Sequence, residues 1–286
     1  MRVIIVVNSG KPVAVEKAAE LKDWLLRRNI RVDVVSAEEI IVDGHFAADI
    51  REMLDDRPDF YFSLGGDGTL LSCSQLVFKA PAPVLGFNFG HLGFLTGASP
   101  DVMYDAIEAA FDGKLPSESR CALDVTIEGR DGSHLRYIVL NEVAITRGVT
   151  GKMVEFEVAI DGDTLSTMRA DGVIVASPTG STAYSLSAGG PIISPTLSSM
   201  VVVALAPHSL VSRSLVTDDD EVVSVVPEDK SNKDCAVFVD GNLVKMERSP
   251  RRITVTVRRD AITLLRYNVP GFTRLASRVF FGRTND

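Results

Sequence analysis

Three cysteines in 286 residues, Cys73, Cys121 and Cys235, are odd in number and widely scattered. With no CxxC pair among them, neither a disulfide framework nor a zinc site is expected, and a reducing cytoplasm is the simplest setting. Excess positive charge is missing as well: 30 Lys and Arg stand against 38 Asp and Glu, a net charge of −8. That balance argues against nucleic acid or an anionic membrane as the main partner, while leaving room for a local basic pocket. Long apolar runs are also absent. The first, Val3–Val7, is closed by Asn8, Ser9 and Gly10, which is too short for a signal-peptide core and far too short for a membrane span. The four histidines, His45, His91, His134 and His208, show neither HExxH nor paired spacing, so nothing supports a zinc site or a serine triad. There is no internal repeat and no low-complexity segment.

What remains is an ordinary globular composition, 45% hydrophobic and 24% charged. The length suits two domains with a cleft between them. Residues 1–116 read as a Rossmann-like α/β domain. Val3–Val7 is a buried parallel strand, Val13–Arg28 an amphipathic helix with Ala14, Ala18, Leu21 and Leu25 on one side, and Val32–Val35 the next strand. The span Ser36–Pro58 carries no clear pattern. Phe60–Leu64 is a further strand, a helix follows near Leu70–Phe78, and Val84 opens another strand running into Gly86, Gly90 and Gly93 around Asn88. Ser99-Pro100-Asp101 predicts an N-cap and first turn for a helix ending near Phe111. From Ser117 the pattern changes to short alternating segments, among them Ile253–Val257 and Ile262–Tyr267. They are punctuated by Asp131-Gly132, Asp161-Gly162 and Asp240-Gly241, so residues 117–269 predict a β-rich domain of two sheet layers. The tail, 270–286, mixes arginines with Leu275, Val279, Phe280 and Phe281 and is expected to pack back on the body.

The chain is organised around Asp59-Phe-Tyr-Phe-Ser-Leu-Gly-Gly-Asp-Gly-Thr-Leu-Leu71, in which a buried strand breaks into glycines and then resumes at helical spacing. Such a strand, turn and helix start describe an anion cradle. Without a Cβ, Gly65, Gly66 and Gly68 are free to take positive φ and to bring backbone N–H groups close to a phosphate. Asp67 is the anomaly, since a carboxylate in a phosphate cradle repels its ligand unless it takes a proton from an attacking hydroxyl or holds Mg²⁺. The plainer alternative is a tight turn with a helix-capping Asp. No Gly-Lys-Ser/Thr follows, so this is not a Walker A loop, and it is not GxGxxG.

In the second half, Arg169 to Pro191 is dense in small hydroxyl residues: Ser177, Thr179, Ser181, Thr182, Ser185 and Ser187. With Gly180, Gly189 and Gly190 they form a wall suited to ribose and phosphate oxygens. Tyr184 stacks on a base or fills a core, and taken alone the core is the better reading. Arg169 and Asp171 bind a phosphate or ribose hydroxyl, or pair with each other. Asn141 and Glu142, at the start of a strand, present an amide and a carboxylate to a base or ribose, or form an ordinary turn. Thr217–Glu221 is a carboxylate run best read as a solvated turn.

Five segments in order, GGDGTLL at 65–71, GFNFGHLGFL at 86–95, NEVAI at 141–145, ADGVIVASPTGSTAYSLSAGGPI at 170–192 and VDGN at 239–242, resemble the NAD kinase family. The resemblance covers the chain from about Val3 to Val257. GGDGT alone is shared with lipid kinases of the diacylglycerol type and with phosphofructokinases, and the hydroxyl-rich segment decides against them. The resemblance implies phosphorylation of the adenosine ribose 2′-hydroxyl of NAD to give NADP, with ATP or polyphosphate as donor. Mg²⁺ is implied as the companion ion, held mainly by the nucleotide phosphates with no dedicated protein site. It makes Asp67 the proton acceptor and Gly65, Gly66, Gly68 and Thr69 the phosphate loop, with Asp67 and Gly68 touching the nucleotide. Asn141 and Glu142 would hold the nucleotide, and Arg169 and Asp171 the ribose and nicotinamide side. Thr182, Ala183, Tyr184, Ser185, Leu186 and Ser187 would line the NAD groove, which makes Tyr184 a stacking candidate. Lys152 falls at a variable contact position, and Asn242 where glutamine often stands. A homodimer or homotetramer, with part of the NAD site from a neighbouring subunit, is also implied. The competing functions are a lipid kinase, for which the acidic composition offers no membrane face, and a non-catalytic NAD(H) sensor.

Overall fold

The computed structural model describes residues 1–42, 45–90, 93–148, 152–209, 211–228 and 235–281. In chain order it begins with β1 (Arg2–Val7), α1 (Pro12–Leu26), β2 (Arg31–Ser36), a ribbon of β3 (Ile41–Val42) and β4 (His45–Phe46), and α2 (Ala48–Met53). Next come β5 (Phe60–Gly65), α3 (Asp67–Lys79), β6 (Val84–Asn88) and α4 (Met103–Phe111). Two compact units result, one of residues 1–119 with 262–286, the other of residues 120–261.

In the first unit, β1 pairs in parallel with β2 and β5, and β5 with β6, giving the order β2-β1-β5-β6. Val3, Ile5 and Val7 face α1 and α4, while Ile4 and Val6 are fully buried on the other face. Burial on both faces is why β1 reads as an unbroken apolar run rather than an alternation. The expected stripe Ala14, Ala18, Leu21 and Leu25 is the buried face of α1, which Pro12 opens at its first position. Asn29, in the left-handed region at φ 58°, turns the chain into β2. The patternless span 36–58 holds the β3–β4 ribbon and α2, which are too short for periodicity to register. Two helix starts differ from expectation. α3 begins at Asp67, so Gly68 and Thr69 lie in its first turn. Pro100–Val102 forms a 3₁₀ turn ahead of α4, and the Ser99 side chain makes no capping bond.

The second unit runs through β7 (Ser117–Gly129), β8 (His134–Val139), β9 (Glu142–Arg147), β10 (Val154–Ile160), β11 (Asp163–Ala170) and β12 (Gly172–Ala176). A 3₁₀ turn at Gly180–Thr182 and the four-residue α5 (Tyr184–Ser187) precede β13 (Met200–Leu205), β14 (Leu215–Thr217), β15 (Val223–Pro227), β16 (Cys235–Val239) and β17 (Asn242–Leu243). β14, β13, β12, β9, β16 and β17 form one antiparallel sheet in that order. β11, β10, β15 and the first half of β18 (Pro250–Leu265) form another layer, in which β7 pairs with β18 and β8. Val173 and Val175 of β12 enter the core shared with Phe156 and Val158, while Ile174 and Ala176 pack on the opposite face with Ile193, Val201 and Val203. Two of the three Asp-Gly turns have the signature their sequences predict, Asp161 and Gly162 at φ 50° and 89° and Asp240 and Gly241 at 46° and 79°, whereas at Asp131-Gly132 only the glycine, at φ 84°, is left-handed. β18 is one strand where two segments were expected, with Asp260 at φ 47° inside it.

The end of β18 returns to the first unit, where Leu264 pairs in parallel with Val84. α6 (Phe272–Phe281) follows, with Phe272 and Phe280 against Phe94 at ring-centroid distances of 5.9 and 5.5 Å. Among the described residues no helix is long and apolar enough to cross a membrane.

Candidate active site

In the turn between β5 and α3 close packing requires a glycine at Gly65, and left-handed backbone requires one nowhere. None of Gly65, Gly66 and Gly68 has positive φ, and Gly66 is extended at φ −163°. A Cβ on Gly65 would collide with the Thr69 side chain. Thr69 is itself buried, and its Oγ1 accepts the Gly66 N–H at 3.3 Å, so its hydroxyl serves the turn. Gly68 differs, because a Cβ there would meet nothing within 4 Å. Internal packing therefore does not require glycine at that position.

Asp67 does not cap its own helix. Its Oδ2 accepts the Phe94 N–H at 2.8 Å, and its Oδ1 accepts those of Leu95 at 3.1 Å and Thr96 at 3.3 Å. A Cβ on Gly93 would strike the same carboxylate, which accounts for the glycine just before Phe94. An ionised carboxylate has about four lone-pair positions. Three are filled by backbone amides, and the fourth belongs to Oδ2.

Lys11 is the residue that sequence reasoning passed over. Its Nζ lies 3.4 Å from the carbonyl oxygens of both Gly65 and Phe89, beside the glycine turn. Among the described residues its hydrogen-bond partners are carbonyls and no carboxylate pairs with it. A signal existed: β1 and β5 are parallel neighbours, so the loops after them share one sheet edge, and Asn8 N–H bonds Leu64 O at 3.0 Å. Asn88, at the end of β6, orders the same edge by accepting the Gly90 N–H at 3.0 Å. His91 lies outside the described residues.

In the second unit a different carboxylate plays the same structural part. Asp240 accepts N–H bonds from Leu140 (2.8 Å), Asn141 (2.7 Å) and Glu142 (3.2 Å). From the opposite side the Ser177 hydroxyl donates to Leu140 O, the Ser177 N–H donates to Asn141 O, and a Cβ on Gly180 would collide with the Asn141 backbone. The Asn141-Glu142 pair is thus a clamped turn joining three of the sequence segments. Glu142 is 6% exposed; the Tyr184 N–H donates to its carboxylate, while Oε2 has no hydrogen-bond partner among the described residues. Burial, and then the negative charge of Asp240, push the Glu142 carboxyl up to about 7. Burial likewise raises Asp240, to about 6, against the pull of its three amide donors.

The hydroxyl-rich segment divides by burial. Ser181 is fully buried and bonds Pro178 O and the Ile193 N–H, so it holds the turn together. Ser185 and Thr179 are buried with unpartnered hydroxyls, Thr182 bonds Thr179 O, Ala183 and Leu186 are half-buried, and Ser187 is exposed. Tyr184 is 44% exposed, which overturns the core reading of that residue taken alone.

Arg169 and Asp171 do not join this group. β12 pairs with β9 so that Ala176 faces Glu142 and Gly172 faces Thr146. Asp171 is therefore at the far end of the pair, five residues and roughly 16 Å along the strand from Glu142. Nor do the two pair with each other: Asp171 meets Arg147 at 3.2 Å, and Arg169 is exposed. Lys152 and Asn242 are exposed, and Asn242 Nδ2 donates to Asp240 O at 3.2 Å. Among the described residues one carboxylate trio, Asp218–Asp219–Asp220, is close enough to share a cation, and Asp219 in it is bound to Arg259.

The family model described as ATP-NAD kinase N-terminal domain matches residues 3–115, and that described as ATP-NAD kinase C-terminal domain matches residues 140–266. An NAD kinase of Chlorobium luteolum is 38% identical over 260 residues, covering 89% of this chain and 88% of that protein. Two solved structures share the fold, each at 24% identity. Yeast NADH kinase complexed with NADH has a TM-score of 0.86, covering 100% of this chain and 89% of its own. An NAD kinase from Archaeoglobus fulgidus in complex with ATP has a TM-score of 0.72, covering 99% and 98%. The two clamped turns and the glycine cradle thus lie inside domains matched in order over most of the chain, and the chain belongs to the NAD kinase family.

Proposed function

We propose that this chain transfers the γ-phosphoryl group of ATP to the adenosine ribose 2′-hydroxyl of NAD, with Asp67 taking the hydroxyl proton. The observation that carries this reading is the Asp67 carboxylate, aimed by three backbone amides and left with one lone-pair position on Oδ2. Phosphoryl transfer through a loose transition state asks for alignment and charge neutralisation more than for a strong base. The bond from O2′ to the γ-phosphorus forms as the bond from that phosphorus to the β–γ bridging oxygen breaks. The proton passes to Asp67 Oδ2, and ADP leaves.

The solved relatives carry NADH in one case and ATP in the other, consistent with one chain taking both nucleotides. Lys11 is the cation that meets the triphosphate, since its ammonium already stands at the cradle, bonded among the described residues to carbonyls. Gly68 lets a phosphate or ribose approach the backbone. The protein groups fit a Mg²⁺ that would be held chiefly by phosphate oxygens and water, because the one open position on Asp67 goes to the 2′-hydroxyl proton. When bound, the ion neutralises the triphosphate. Asn141, Glu142 and Tyr184 hold NAD, with the Tyr184 ring offered for stacking. The separation of Asp171 from Glu142 favours an oligomer in which Arg169 and Asp171 serve a neighbour's NAD site. The buried thiols of Cys73 and Cys121 suit a reducing cytoplasm.

The test is a coupled NADP-formation assay with NAD, Mg²⁺ and either ATP or polyphosphate, run on the wild type and Asp67→Asn. NADP from the wild type alone supports the reading and identifies the donor. Near wild-type turnover by Asp67→Asn removes Asp67 from the mechanism, and NAD binding without NADP makes the protein a sensor.

A further inference from the structure

The segment that aims Asp67 is itself held from behind by one side chain. Arg266 Nη2 donates to Phe94 O at 2.9 Å, and Nη1 donates to Leu95 O at 3.2 Å and to Thr96 O at 2.8 Å. Nη2 also meets Glu118 Oε2 at 3.0 Å, and the side chain is only 11% exposed. The surrounding backbone is equally tied: Arg266 N–H bonds Pro116 O at 3.0 Å and Tyr267 N–H bonds Gly97 O at 2.7 Å. A Cβ on Gly97 would collide with Leu265 O. Two whole peptide units, 94–95 and 95–96, therefore run from carboxylate to guanidinium, each N–H toward Asp67 and each C=O toward Arg266.

We propose that Arg266 is a positioning residue for phosphoryl transfer, fixing the direction of the Asp67 carboxylate through the Phe94–Thr96 bridge. This rests on the reading of Asp67 as proton acceptor. The chemistry suits arginine alone, because a planar fork with five donors reaches three carbonyls and a carboxylate at once, whereas a lysine ammonium is a single point on a flexible stem. Removing the guanidinium frees the three carbonyls, the bridge relaxes, and the amides no longer set where Oδ2 points.

The experiment measures kcat and both KM values for Arg266→Met, Arg266→Lys, Asp67→Asn and the double variant Asp67→Asn/Arg266→Met, with calorimetric NAD binding as the check on folding. Because misplacement of a reacting group by about 1 Å costs about 10²-fold, kcat is expected to fall about 10²-fold in Arg266→Met and about tenfold in Arg266→Lys. KM for NAD and for ATP is expected to hold within about twofold, and in the Asp67→Asn background Arg266→Met is expected to add less than about twofold. A general structural role predicts instead that both KM values rise and that the two losses multiply. That pattern overturns the proposal, as does a folded Arg266→Met or Arg266→Lys with wild-type kcat. If Arg266→Met does not fold, Arg266→Lys decides. Failure of the underlying reading shows separately, as wild-type turnover by Asp67→Asn.

Discussion

Replacing Glu142 with glutamine is expected to stabilise the protein, and to do so only above mildly acidic pH. Glu142 is 6% exposed, its Oε2 has no partner among the described residues, and Asp240 lies close enough to oppose its ionisation. Burial and that charge raise its carboxyl from 4.5 to about 7. The folded form thus holds the proton more tightly than the unfolded chain does. Stability linked to Glu142 is complete below about pH 4.5, falls as pH rises toward 7, and is level above that. A displacement from 4.5 to about 7 corresponds to roughly 3 kcal/mol at 1.36 kcal/mol per unit. This is an upper bound, since Asp240 titrates in the same window. At about 2–4 °C per kcal/mol, the melting temperature of Glu142→Gln should exceed the wild type's by up to roughly 10 °C at pH 8 and by little at pH 5. Scanning calorimetry at pH 5, 6, 7 and 8 measures the gap. A gap that does not change with pH refutes the reasoning, and so does one that widens toward acid. A group so costly to the fold at neutral pH is what a binding site keeps and a core discards.

Asp240→Asn keeps the shape of the clamp but turns an amide toward backbone donors, so about 1–3 kcal/mol of stability should be lost. Steady-state kinetics should show KM for NAD rising with KM for ATP unchanged. Lys11→Met removes the ammonium beside the glycine turn, and kcat/KM for ATP should fall on the order of 10–100-fold, while calorimetric NAD binding is unaltered. Gly93→Ala drives a methyl into the Asp67 carboxylate; turnover should collapse while NAD binding persists, and near-normal turnover would mean that the bridge at 94–96 tolerates displacement.

The elements were legible wherever one face or both were buried over enough residues for a period to show. α1 and β1 are examples, and so is β12, whose five consecutive buried residues serve two cores. The β3–β4 ribbon and α2 escaped because two-residue strands and a six-residue helix give no period. At the site, Asp67 and the glycines were visible as oddities of composition, Glu142 was assigned to the nucleotide only through the family resemblance, and the partners of all of them were not visible. Lys11 sits on a strand-end loop that looks like any polar turn, and Arg266 is one basic residue near an Arg-bearing tail. Both are brought to the cradle by sheet order and register, which no local pattern encodes. Of the two properties expected of the glycine turn, positive φ is absent at Gly65, Gly66 and Gly68. Gly65 makes room for Thr69, and Gly68 leaves the backbone open to approach, both at ordinary φ.

The separation of Asp171 from Glu142 makes the oligomer proposal testable without a structure of the assembly. Along β12 the two ends are five residues and roughly 16 Å apart, and Asp171 is already paired with Arg147. If each NAD site takes Glu142 from one copy and Asp171 from the next, then Glu142→Ala and Asp171→Ala are each inactive for different reasons. A mixed dimer has one site with both defects and one with neither. Random exchange in an equimolar mixture makes half the dimers mixed, each with one working site, so about a quarter of wild-type activity should return. Mixing the two purified variants under conditions that allow subunit exchange, and following NADP formation, measures this. If subunit exchange is verified and no activity returns, both residues serve the same chain's site or Asp171 serves none.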